Sequence, residues 1–407
     1  MKNASAIINN KPLRGTQKIW LVFVLGALTA FGPLSMDMYL PALPIVTTDF
    51  STTASLAQLS ITSCLIGLAV GQLFFGPLSD VIGRKKPLLI TLTVYMVASL
   101  LCALSVNIWM FISLRFIQGL AGSAGVVISR AAAKDLFDGK ELTKFIALLA
   151  LVNGAAPILA PISGGAILNW VSWEMIFYLL ALIGLLMLLA IAVTFRETLP
   201  EEKRGEGGLL KTLQNFRVLF FDKEFMGISL TFAFVSMSMF AYISGSPFVL
   251  QNVYDLSAQQ FSVVFATNGI GIILAAQLAG KLSDSISEKK LLQFGAITSF
   301  TGAILLFIAI TFHAGLWMVL LSLFLIVSSV GIVNTTSFSL GMQKRGKIAG
   351  SASAFLGILP FGGGGLVSPL VGMGGDYSAF PMALIILICS LLAFILYTVM
   401  VKQRASI

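Results

Sequence analysis

The chain has 407 residues, of which 57% are hydrophobic and only 11% charged, with a mean hydropathy of +0.96. A soluble domain of this length cannot enclose so much apolar surface, so a soluble fold is excluded and a membrane must supply the missing environment. The net charge of +9 invites a polyanionic partner, but the placement of the basic residues accounts for it through topology and requires no nucleic acid.

A membrane span needs roughly 20 predominantly apolar residues. Twelve such runs follow in order, at 19–40, 56–76, 87–106, 108–129, 143–168, 173–195, 225–250, 261–280, 291–312, 315–340, 348–372 and 380–401. The expected class is an all-α integral membrane protein of twelve transmembrane helices. No short apolar core with a small-residue cleavage site precedes the first run, so that run is expected to be a retained span. The one sizeable polar stretch, 196–223, contains Glu201, Glu202, Lys203, Arg204 and three glycines. It reads as a flexible cytoplasmic linker between an N-terminal half at 1–195 and a C-terminal half at 224–407.

Lys and Arg set the orientation. They occur in the N-terminal tail, in alternate loops, in the central stretch and at the C-terminus, and the intervening loops hold none. Both termini are therefore expected in the cytoplasm, with the chain in the cell inner (plasma) membrane. The run Gly76-Pro-Leu-Ser-Asp-Val-Ile-Gly-Arg-Lys-Lys86 returns 204 positions later as Gly280-Lys-Leu-Ser-Asp-Ser-Ile-Ser-Glu-Lys-Lys290. An offset of half the chain length indicates duplication, and the charges of the run place it in a loop at a membrane face.

Apart from Lys144 and Glu174 at the first turns of their runs, the apolar runs hold one acid, Asp37, and one base, Arg115. A charge at membrane depth costs at least about 2.5–3.5 kcal/mol, which makes each a functional candidate. Asp37 can be a span-edge carboxylate reaching the headgroups. It can equally be a proton carrier whose hydration changes as a pocket opens and closes, and it can attract a cationic substrate. For Arg115, a structural ion pair with Asp37 is the plainest role. The fifth run contains Pro157, Pro161, Gly164 and Gly165, and the eleventh contains Pro360, four successive glycines and Pro369. Broken helices at corresponding places in two halves point to the moving, site-lining part of a transporter. Asn153 and Asn268 are polar at depth and face a central cavity or bond a neighbouring helix. Cys64, Cys102 and Cys389 read as small hydrophobes, and a single histidine argues against a metal site.

Gly76–Lys86 resembles the cytoplasmic signature loop of the major facilitator superfamily. Arg115-Phe-Ile-Gln118-Gly119 resembles the fourth-helix motif of its proton-coupled members, and Ala160-Pro161-Ile-Ser-Gly164-Gly165 resembles the fifth-helix antiporter motif with Ala160 in place of the leading glycine. Ser35-Met-Asp37-Met-Tyr39-Leu-Pro41, Gly245-Ser-Pro247 and the Arg130–Asp135 region are similar to the bicyclomycin/chloramphenicol-resistance family. The resemblance implies a proton-coupled antiporter exporting hydrophobic drugs by alternating access, acting as a monomer in the lipid bilayer without a cofactor. It implies that Asp37 and Arg115 belong to the coupling and substrate region; Asp37, Tyr39 beside it and the deep polar Asn153 and Asn268 are the candidate substrate-binding residues. Gly76, Asp80, Gly83, Arg84 and Arg130 would form the cytoplasmic gate.

A metabolite carrier on the same fold is the alternative; a sugar carrier would be expected to show more Asn, Gln and Trp at depth. No nucleophile motif or nucleotide-binding loop supports an enzyme. If the signature loop is a latch, Asp80→Asn in correctly inserted protein should change the transport rate more than substrate preference. Unaltered kinetics would refute the latch.

Overall fold

The computed structural model describes residues 15–137, 139–204, 209–343 and 348–401. They form an all-helical membrane fold. Helices α1 (Gly15–Thr29) and α2 (Phe31–Asp37) make the first span, followed by a tight turn at Leu40–Ala42 and α3 (Leu43–Asp49). Then come α4 (Ala54–Ile82), α5 (Lys85–Ala103), α6 (Ile108–Leu136), α7 (Gly139–Leu168) and α8 (Glu174–Thr194). After α9 (Leu209–Phe221) follow α10 (Lys223–Phe248), α11 (Ala258–Leu282), α12 (Glu288–Thr311), α13 (Leu316–Met342), α14 (Ala349–Val371) and α15 (Phe380–Leu396).

Among the described residues ten helices are long and apolar enough to cross a membrane, and the bent first pair makes an eleventh. Helix α7 takes the remaining position, with an apolar part at Ala155–Leu168. The first span bends by 43° between α1 and α2. Pro33 explains the bend, because it has no N–H for the Thr29 carbonyl and its ring crowds that oxygen.

Three local expectations need correction. The signature run is mostly helix, since α4 continues through Pro77 and Asp80 to Ile82. At 29 residues and 1.5 Å per residue, α4 is about 43 Å long and outreaches a hydrocarbon core of about 30 Å, so its charged end lies beyond the apolar layer. Only Gly83 and Arg84 form the turn, and Gly83 has φ +95°, which only glycine adopts without strain. Second, the prolines do not break their helices: α7 runs through Pro157 and Pro161, and α14 through Pro360 and Pro369. Third, the 196–223 stretch contains α9, whose Leu219 is buried beside Phe225, and Phe216 packs on Phe355.

The duplication is visible in the packing. Gly67 and Gly119 let α4 and α6 approach backbone to backbone, and Gly331 does the same for α13 against α11. At the end carrying the basic loops, the first six spans and the last six have separate cores, one around Leu28, Leu92 and Ile128 and one around Phe225, Val333 and Leu356. At the opposite end a single core joins Tyr39, Leu43, Phe111 and Trp173 with Phe248, Leu250 and Phe261. Hydrogen bonds cross between the two sets there: Gln58 Nε2 to the Ser244 carbonyl (3.1 Å), Gln251 Nε2 to Pro41 (3.2 Å), Gln259 Nε2 to Gly165 (2.8 Å) and Ser262 Oγ to Pro161 (2.7 Å). The molecule is closed at that end.

Gly164 and Gly165 lie in this seam. A Cβ at Gly164 would run into the Met38 carbonyl, and one at Gly165 into Ser262. Gly164→Val should therefore prevent closure. The expected result is at least fivefold faster labelling of a thiol introduced by Gln259→Cys, with an impermeant maleimide added to the face opposite the basic loops.

Candidate functional site: a central cavity and a charged turn

Between the two helix sets lies a cavity of about 410 Å³, within the range of small-molecule sites. Its wall is mainly aromatic and aliphatic, with Met36, Phe232, Met239, Phe240, Phe265 and Phe361. The polar wall residues include Asp37, Gln72, Arg130, Tyr242, Asn268 and Asn334. Towards the basic loops a second cavity of about 460 Å³ is lined by Asp80, Arg84, Lys134 and Asp135, and shares Gln72, Arg130, Phe338 and Gly357 with the first. The two form one path from the basic face to Asp37.

Asp37 ends α2, where the proline-bent first span delivers it to the wall. It is buried, and among the described residues it has no hydrogen bond or ion pair. Asn268 lies across the cavity on α11 and donates to the Tyr242 hydroxyl at 2.9 Å, while the Tyr242 ring stacks on Phe265. Pro157 also lines the wall. The side chain of Asn153 lies outside the described residues.

Arg115 and Tyr39 stand apart from the cavity wall. Arg115 is fully buried, and its guanidinium carbon lies 5.2 Å from the Tyr39 ring centre and 5.5 Å from that of Phe177. Its Nη1 donates to Gln118 Oε1, and Gln118 Nε2 donates to Ser99 Oγ at 2.8 Å. Nε and Nη2 find no partner. The ion pair with Asp37 is not formed; aromatic faces, worth up to about 2 kcal/mol each when desolvated, stand where a carboxylate was expected. Tyr39 is fully buried and shares a hydrogen bond with Ser60 at 3.2 Å, so in this conformation it holds Arg115 rather than facing cargo space.

At the basic face Arg84 gathers the turn. Its Nη1 contacts Ser79 (2.7 Å) and Asp80, and its Nε donates to Asp135 Oδ2 at 2.9 Å. Asp80 is 59% exposed and Asp135 only 15%, so Asp135 is the better-shielded partner; exposed pairs contribute about 0–1 kcal/mol. Gly76 packs against Val127 without a part in the ion pairs. Glu197, just past α8, accepts from the backbone N–H groups of Arg84 (2.8 Å) and Lys85 (3.1 Å) and so caps α5. Thr198 Oγ1 donates to Asp135 at 3.1 Å. In the second copy Glu288 occupies the place of Arg84 and accepts from Ser339 Oγ and Gln343 Nε2 at the end of α13.

The family model of the Major Facilitator Superfamily matches residues 24–369. The chain belongs to that superfamily. It is 43% identical to an uncharacterized MFS-type transporter, YdgK, of Bacillus subtilis (strain 168), over 96% of this chain and 98% of the relative. It is 28% identical to a bicyclomycin resistance protein homolog of Haemophilus influenzae (94% of this chain, 96% of the relative). It is 30% identical to a chloramphenicol resistance protein of Pseudomonas aeruginosa (82% and 79%). These relatives place it in the bicyclomycin/chloramphenicol-resistance branch. Its fold is similar to a bacterial homolog of the human lysosomal transporter Spinster in an inward-facing, unoccupied conformation, with TM-score 0.75 and 15% identity over 97% of this chain and 98% of that one. This major facilitator protein is therefore a membrane transporter of small molecules.

Sequence reasoning left out Gln72, Tyr242 and the aromatic wall, because a phenylalanine facing a cavity and one facing lipid are indistinguishable by composition. It also left out Glu197, a lone acid at a span end. Partial burial pushes the Glu197 carboxyl up, but the N–H groups of Arg84, Leu199, Lys85 and Thr198 outweigh that and hold it below the ordinary 4.5. The tie is therefore present above the ordinary carboxylate value and is lost as pH falls through the lower folded-state value. Hydrogen exchange should show amide protection at residues 84–85 falling about tenfold in Glu197→Ala at neutral pH. Wild type should lose the same protection only below the ordinary carboxylate range.

Proposed function

We infer that this transporter is a proton-coupled antiporter exporting hydrophobic drugs of the phenicol, bicyclomycin or multidrug type. Asp37 carries the reading: an acid with no ion-pair partner among the described residues lines an aromatic- and methionine-rich cavity. The relatives named for bicyclomycin and chloramphenicol resistance support the drug class.

The basic loops mark the cytoplasmic side, with both termini on it. The cavity, open to that side, takes a drug from the cytoplasm. The wall binds chiefly by apolar burial. At about 25 cal/mol per Å², some 200 Å² contributes roughly 5 kcal/mol, enough for capture and weak enough for release. Drug entry disfavours the protonated Asp37, which gives its proton to the cytoplasm. The halves 1–195 and 224–407, joined by 196–223, then rock about the cavity; the seam at the opposite end opens and the cytoplasmic end closes. Outside, Asp37 takes up a proton as the drug leaves, and the return resets the cycle. One proton moving through about 100 mV supplies about 2.3 kcal/mol, enough to drive accumulation. Each chain holds both halves, so a monomer suffices.

Drug-evoked proton release in proteoliposomes tests the reading, with chloramphenicol-like neutral drugs and lipophilic cations on the panel. Wild type should release protons on drug addition, and Asp37→Asn should lose at least nine-tenths of the signal. Release that survives the substitution would remove Asp37 from the carrier role. No response from folded wild type to any drug would favour a metabolite carrier.

A further inference from the structure

Asp37 and Arg115 do not touch, yet one helix holds on to both of their surroundings. Helix α5 carries Tyr95, a fully buried tyrosine. Its ring fits beside Gly122 of α6 and Gly184 of α8, where a Cβ would approach it to 3.4 Å and 3.1 Å. Its edge meets Phe31 with ring centres 4.6 Å apart. The hydroxyl lies 2.7 Å from Ser35 Oγ, on α2 two residues before Asp37. Ser35 has one proton, and its Oγ lies 2.6 Å from the Phe31 carbonyl, which can only accept. Tyr95 is therefore the donor and Ser35 the acceptor. One turn along α5, Ser99 Oγ donates to the Tyr95 carbonyl and accepts from Gln118, the residue that holds Arg115.

We propose that Tyr95 is a positioning residue for transport, tying the Asp37-bearing segment to the helix that also anchors the Arg115 network. Helix α2 is seven residues long, follows a 43° bend and ends in a tight turn. So short a segment holds its orientation through tertiary contacts rather than through its own hydrogen bonds. The Tyr95–Ser35 bond is a side-chain tie from α2 to another helix, two residues before the carboxylate. Movement of α5 relative to α6 then reaches both charged residues together, with no ion pair between them. The charged and titratable groups around Asp37 are Cys64 on α4, Arg130 on α6 and Tyr242 on α10, with Arg115 beyond Cys64; Tyr95 acts on where the carboxylate sits among them.

Tyr95→Phe removes only the hydroxyl, and Ser35→Ala cuts the same bond from the other side. The transport readout rests on the proton-coupled reading above, whereas a labelling readout does not. In proteoliposomes of the full chain, each variant should lower the maximal rate of drug-evoked proton release about fivefold. The drug KM should stay within twofold, and the pH midpoint should shift by about half a unit or more. The double variant should be no worse than either single one. Separately, a thiol introduced by Asp37→Cys is labelled with a small maleimide from the basic face; the native cysteines are all buried. Its rate should change at least threefold when Tyr95→Phe or Ser35→Ala is added. Altered labelling with no proton release from wild type would sink the antiporter reading and uphold the tie. Labelling unchanged in both combinations would overturn the role of Tyr95, whatever the transport result.

Discussion

The structure depends on a seam made at only one end. Gly164 and Gly165 of α7 meet the Met38 carbonyl and Ser262, and glutamine side chains reach carbonyls across the same end. These contacts use backbone oxygens and small residues, so the helices meet at close range within the apolar core they share. Seam hydrogen bonds of this kind contribute about 1 kcal/mol each, net. A handful of them, with a shared aromatic core, holds this end closed; in the proposed cycle that closure is exchanged for one at the other end. The cavity is what remains when the closure is made at one end alone.

The charges follow from the same geometry. A guanidinium in hydrocarbon needs compensation, and Arg115 obtains it from ring faces and Gln118 rather than from an acid. That leaves Asp37 in the cavity wall with no salt bridge among the described residues. An ion pair between them would satisfy both groups and would also hold the carboxylate ionised. In the proposed antiport, separating them would leave the acid to respond to whatever enters the cavity. At the basic face the opposite choice is made: Arg84 is paired with Asp80 and Asp135, and Glu197 fixes the backbone below it.

Much of the architecture was legible because hydrocarbon imposes strong rules. Run length, the one-sided placement of Lys and Arg and the repeat of Gly76–Lys86 led to the helix count and the duplicated plan. Asp37 and Asn268 stood out as polar residues at depth, and the structure puts both at the cavity. Tyr39 did not follow, because neighbours in sequence on a bent segment face different surroundings: Asp37 meets the cavity and Tyr39 meets Arg115. The prolines misled because a membrane helix tolerates a missing backbone bond, and α7 runs on through both of its prolines. Arg130 was marked as a gate residue by resemblance, and its place in the walls of both cavities comes only from the fold.

The second copy of the charged turn carries a lesson about inheritance. Arg84 in the first half corresponds to Glu288 in the second, and each ties the start of one helix to the end of the next, Arg84 through Asp135 and Glu288 through Ser339 and Gln343. The sign of the charge has been reversed at one side of the tie and the other side is uncharged in the second half, while the tie between helices survives. What doubling passed on is a pair of coordinates that must be joined, and the chemistry that joins them has been free to drift. Two halves that share a shape can in this way come to answer differently to salt, although their backbones remain copies.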